Sequence, residues 1–231
     1  MLRQEILKTC LLIFVSLLLF NCRKIATPTE MDMSEYGWVL FDQGSYEKSN
    51  QWFFEAVFED TSYKDGYNGL GWTYGKIGEL DSSISNFKLG RRRGLQDTTD
   101  RDYNLLFSGE TPPHNPVKEC TAGLAFAYHA KNDHKSAISY SDTLLNSVGD
   151  SSYTKFTGTP GWKFSRDVTI SSIQVIWVLA SSYFAQGNFQ ESLTQVKRLV
   201  DPPFEPDLTT VEGVAELAEK IEWLRNNPPA P

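Results

Sequence analysis

The residues able to do acid–base or ligand chemistry are few and scattered. His114, His129 and His134 are the only histidines. His129 and His134 stand five apart with no third group at metal-ligand spacing, so both are expected to pack within helices or face solvent. His114, in Pro112-Pro113-His114-Asn115-Pro116, is the one acid–base group that a catalytic loop would have to use. Gly66, Gly69 and Gly71 follow no predicted strand and so suggest no phosphate cradle, and no Gly-x-Ser-x-Gly elbow occurs. Glu59-Asp60 and the Glu216/Glu219 pair fit solvated faces. The chain is therefore expected to be non-enzymatic, with no catalytic set, no metal site and no cofactor. What remains to it is surface recognition.

The elements that position such a surface begin after an export signal. Arg3 and Lys8 make a basic start, Thr9 to Phe20 is an uncharged run, and Cys22 follows Leu18-Leu19-Phe20-Asn21. That run is too short to be read first as a membrane span and fits a signal peptide over residues 1–21. Its end resembles a bacterial lipoprotein processing site, with Leu19 three positions before Cys22, although Phe20 and Asn21 are larger than the residues usual there. The resemblance implies lipidation at Cys22; the alternatives are ordinary cleavage further on or an uncleaved anchor. Arg23 stands where an aspartate often retains such proteins in the inner membrane, so the outer membrane is the expected address, on its periplasmic or its surface side. Residues 22–32 read as a polar tether.

Composition bounds the rest. With 231 residues, 40% hydrophobic, 13% aromatic and 22% charged, the chain can bury one sizeable core within a soluble body. Loss of residues 1–21 removes Arg3, Lys8 and Glu5 and leaves 20 basic against 28 acidic residues, a net charge of −8. Such a body does not suit a nucleic-acid backbone. Cys120 then stands alone, without a disulfide partner, and reads as a small buried residue.

The body itself is periodic. Gly44 and Gly78 align at a shift of 34, and the same shift superposes Tyr36-Gly37 on Leu70-Gly71, Leu40 on Tyr74, Tyr46 on Leu80, Ser49 on Ser83 and Phe53 on Phe87. Two more copies follow: Leu124-Ala125, Tyr128, Asn132, His134, Ala137 and Ile138, then Leu179-Ala180, Tyr183, Gly187, Phe189, Ser192 and Leu193. Each copy reads as two helices joined by a turn at the glycine or, in the third, at Asn132, which tolerates a left-handed backbone. A period of 34 with a large-then-small pair, an aromatic four positions on and a small residue early in the second helix resembles the tetratricopeptide repeat. The resemblance spans about residues 30–200. It implies an all-α, right-handed α-solenoid of four helix–turn–helix units, in which each unit covers its neighbour's apolar face.

Two insertions interrupt the frame, at about residues 91–116 and 148–170. Both follow the second helix of a unit and so are expected on one edge of the solenoid. Thr157-Gly158-Thr159-Pro160-Gly161, in the second, fits a β-hairpin turn. Loops of this length either carry function or pad a widened joint. Beyond Asp201-Pro202-Pro203, residues 201–231 are expected to form a capping helix started by Thr209 or Thr210, with Val211, Val214, Leu217, Ile221 and Leu224 on one face, and then a short tail.

In the repeat family the first helices line a concave face. Carrying that frame over places Trp38, Phe41, Asn68, Trp72, Phe126, His129, Trp177 and Phe184 along the groove, with Asp42, Asp65 and Glu119 nearby. Exposed aromatics at this density suit a protein or peptide partner. Two readings remain open: a binding groove, or a core onto which the insertions or the tether fold. A rival function is glycan or small-ligand binding, with Trp38, Trp72 and Trp177 as stacking platforms. Arg91, Arg92 and Arg93 form the only basic cluster.

Overall fold

A computed structural model describes residues 27–97, 114–155 and 160–229. The signal segment, Cys22, the start of the tether and most of the first insertion lie outside the described residues. Within them the chain is an all-α solenoid of four antiparallel helix pairs and a final helix. The pairs are α1 (Glu30–Asp42) with α2 (Tyr46–Glu59), α3 (Lys64–Ile77) with α4 (Leu80–Gln96), α5 (Pro116–Ala130) with α6 (His134–Val148), and α7 (Ser172–Ala185) with α8 (Phe189–Lys197). Helix α9 (Val211–Asn226) closes the row. Between α6 and α7 lies a small antiparallel hairpin, β1 (Lys163–Phe164) and β2 (Asp167–Ser171). None of the described helices is long and apolar enough to cross a membrane.

The local signals explain where the helices start and turn. Thr29 caps α1 in a capping box with Asp32, so the helix begins inside the segment expected as tether. Asn115 caps α5 ahead of Pro116, and Ser171 with Gln174 makes a second capping box for α7. Thr210 is the residue that caps α9. All four interhelix turns pass through a left-handed residue at the aligned position: Gly44 (φ 72°), Gly78 (φ 88°), Asn132 (φ 63°) and Gly187 (φ 76°). Chain reversal within each pair therefore rests on one backbone conformation at one repeat position.

The repeat spacing also sets how the helices touch. Ser49, Ser83 and Ser192 each donate a hydroxyl hydrogen bond to a carbonyl twelve residues back, at Gly37 (2.7 Å), Gly71 (2.8 Å) and Ala180 (2.8 Å). Phe53 and Phe87 are fully enclosed, each between two helices that carry glycine at the contact. A Cβ built on Gly69 would lie 2.3 Å from the Phe53 ring; on Gly71 or Gly123 it would lie 2.3 or 2.2 Å from the Phe87 ring. Thus the phenylalanine of α2 and that of α4 are each clamped between their own first helix and that of the next unit. Gly69 and Gly71 have a packing role, which accounts for the glycine cluster that resembles no phosphate loop.

Two boundaries differ from expectation. Helix α4 continues through Arg91, Arg92 and Arg93 to Gln96, so the basic cluster is helical and not the start of the first insertion. Buried Gly94 allows the extension, because it lets Val117 of α5 pack directly on the helix. The hairpin of the second insertion turns at Ser165-Arg166. The expected turn, residues 157–161, falls mostly outside the described residues, and Gly161 is a bend ahead of β1 whose N–H donates to the Asp150 carboxylate at 2.9 Å.

Candidate functional site

The first helices contact one another in series, α1 on α3, α3 on α5, α5 on α7 and α7 on α9, and so line one common face. The hairpin lies across the α1–α3–α5 part of it. Phe164, wholly buried, stacks on Trp72 with ring centroids 4.3 Å apart and meets Trp38 edge-on at 5.9 Å. Trp38 packs in turn against Phe41 and Phe53. Of the two readings open for Trp38, Phe41, Asn68 and Trp72, the structure has them buried, with the second insertion folded down over Trp38 and Trp72. The glycan reading loses two of its three stacking platforms, Trp38 and Trp72, for the same reason.

Beneath the hairpin is a buried charge cluster. Asp65 of α3, Glu119 of α5 and His114 from the end of the first insertion all have less than 3% of their surface exposed. His114 Nε2 lies 3.0 Å from Asp65 Oδ1, and its Nδ1 lies 3.1 Å from Glu119 Oε1. Asp65 Oδ2 accepts from the Ser34 hydroxyl and the Trp38 indole N–H, both at 2.9 Å. Asn68 donates to Glu119 Oε2 at 2.6 Å and to Asp65 Oδ1 at 3.2 Å. Ser165 at the hairpin tip donates its hydroxyl to Glu119 Oε1 at 2.6 Å. The cluster therefore joins both insertions to three repeat units. Asn68, expected in the groove, is one of its internal donors.

Protonation decides what this cluster can do. Burial alone pulls the His114 pKa down, but the charges of Glu119 and Asp65 and the hydrogen bonds to both outweigh it and carry it up to about 10. Burial pushes Asp65 and Glu119 up, yet the His114 charge and its hydrogen bonds hold both below the usual carboxylate range. His114 is thus an imidazolium between two carboxylates. Ser165 Oγ lies 2.9 Å from His114 Nδ1, which with Asp65 gives the distances of a nucleophile, a base and an orienting acid. A doubly protonated ring has no lone pair to accept the serine proton, and that proton is already directed at Glu119. The three side chains also offer ligand atoms within 4.8 Å of one another, as a cation site would. Their oxygens already accept from serine, tryptophan and asparagine donors, and the imidazolium and the Arg166 charge offset the carboxylates. In this state the cluster holds the hairpin tip and the end of the first insertion against α3 and α5.

The rest of the concave face is open. Phe126, His129, Trp177 and Phe184 line a cleft of about 660 Å³ between α5, α7 and α9, together with Ile221 and Arg225 of α9. The Trp177 indole N–H donates to the Ile221 carbonyl at 2.9 Å, so this side chain also docks the final helix. His129 Nδ1 lies 3.0 Å from Ser182 Oγ, and its ring meets Trp177 edge-on at 5.3 Å. Burial first, then the nearby His134 and Arg225 charges, lowers the His129 pKa to about 4, which leaves the ring neutral at physiological pH. A second hollow of about 270 Å³, floored by Gly71, Gly75 and Gly123, shares Phe126, Ala130 and Gln174 with the cleft and continues it toward Trp72. The repeat frame had signalled these cleft aromatics; nothing in the sequence pattern signalled the pairing of His114 with Asp65 and Glu119.

No protein-family model matches the chain, and no curated protein does. Among solved structures, the chain is similar to a tetratricopeptide repeat protein from Parabacteroides merdae, at 13% identity and a TM-score of 0.37, over 88% of this chain and 75% of that one.

Proposed function

We propose that this protein is a non-enzymatic binding scaffold of the bacterial cell envelope, held at the outer membrane by lipid on Cys22, that takes a peptide or protein segment in the cleft between α5, α7 and α9. The observation that carries the reading is the half-buried set Phe126, His129, Trp177 and Phe184 around about 660 Å³ of open space on the inner face of the helix row. Such a cleft offers rigid apolar walls at low entropic cost to a ligand, with Glu222 and Arg225 at its edge for orientation. The acidic body leaves the membrane contact to the lipid and disfavours nucleic acid.

Affinity capture from detergent-solubilised envelopes tests it, with the intact protein beside a Phe126→Ala, Phe184→Ala variant. Trp177 is left in place because it anchors α9. A protein retained by the intact chain and lost by the variant, with unchanged circular dichroism, is the expected result. Equal retention by both places binding elsewhere. Mass spectrometry of the mature N-terminus checks the anchor: diacylglycerol on Cys22 is expected, and an unmodified Cys22 removes that part of the reading.

A further inference from the structure

The hairpin tip rests on α1, α3 and α5 as a separate ligand would. Phe164 fills the slot between Trp38 and Trp72. Arg166 donates from two guanidinium nitrogens to the two Glu35 carboxylate oxygens, at 3.1 and 2.6 Å, and lies over the Trp38 ring at 5.3 Å. Between them Ser165 hydrogen-bonds Glu119. Among the described residues no backbone–backbone hydrogen bond joins residues 163–171 to these three helices; the Ser165 N–H donates to Glu119 Oε1 at 3.4 Å, and the other polar contacts are made through side chains. The surface beneath has support of its own. Trp38 is braced by Phe41 and Phe53, Trp72 meets Phe87 edge-on, and Asp65 keeps its bonds to Ser34, Trp38 and Asn68.

We infer that this part of the concave face is a recognition site for a peptide segment in which an aromatic residue stands two positions before an arginine, and that the hairpin is a strap occupying it until a partner with that segment competes. Charge complementarity selects the occupant. Glu35 pairs with the Arg166 guanidinium, Asp65 and Glu119 carry one more negative charge than the His114 imidazolium between them offsets, and the Trp38 face suits a guanidinium. A hydrophobic pocket flanked by an acidic clamp discriminates by both features together. The site is separate from the open cleft, so either can fail without the other.

Hydrogen exchange on the full chain is the first test. The hairpin amides are expected to exchange by local opening, about tenfold or more faster than those of α1 and α3. Exchange of the hairpin only together with those helices would overturn the proposal. The second test adds a synthetic peptide of residues 162–171 to the full chain and to its Arg166→Ala variant, in which the strap is weakened. Binding about tenfold tighter to the variant is expected, with no binding of a control peptide whose Phe and Arg are both replaced by Ala. A folded variant with faster hairpin exchange that ignores the peptide, or that takes both peptides equally, contradicts it. The exchange result on the unaltered chain stands by itself if the substitution prevents folding.

Discussion

Replacing His114 by asparagine takes the positive charge from between two buried carboxylates. Asp65 and Glu119 would then face each other without a cation at contact distance, and a loss of about 3–5 kcal/mol is expected in chemical denaturation near pH 6. The pH dependence has a definite sign. The raised pKa of His114 contributes stability that is fully present below its ordinary value near 6.5 and is lost as pH rises toward about 10. The lowered pKa values of Asp65 and Glu119 contribute stability present above the ordinary carboxylate range and lost as pH falls below it. The unaltered protein is therefore expected to lose stability between pH 7 and 10, and His114→Asn to flatten that limb; a variant with the same slope would show that His114 is not the titrating group. These residues were visible in the sequence one by one. Their meeting was not, because it depends on how two long insertions dock, and no helical or strand period records that.

The glycines that let helices approach belong to the scale of the element. A Cβ on Gly71 would lie 2.3 Å from the Phe87 ring, so Gly71→Ala must displace a buried aromatic clamped between two units and should cost about 1–3 kcal/mol. Gly75, one turn further along α3, is the internal control. Its added Cβ would meet only the Ser83 hydroxyl at 3.4 Å, and Gly75→Ala should be neutral or stabilise by up to about 1 kcal/mol through helix propensity. Equal effects of the two in thermal denaturation would contradict the clamp. Helices and turns were legible from the repeat frame, down to left-handed Asn132, because turn chemistry is local. The end of α4 was less so: Arg91-Arg92-Arg93-Gly94 looks like a loop entrance, yet contact with Val117 continues the helix through it.

For the whole molecule, the concave face is divided. The hairpin fills the half lined by Trp38 and Trp72, and the half lined by Phe126, His129, Trp177 and Phe184 stays open. Sequence alone presented one continuous aromatic row, since a residue that faces a ligand and one that faces a docked loop occupy the same repeat position. Only the path of the second insertion separates them. The measurement that tests the proposed role most directly is photo-crosslinking in intact cells, with a photoreactive side chain at Ser181, which lines the open cleft, or at exposed Glu191 on α8. A discrete protein adduct from Ser181, absent from Glu191 and lost when Phe126 and Phe184 are replaced by alanine, is predicted. An adduct from Glu191 alone, or none from either position, would contradict binding in the cleft.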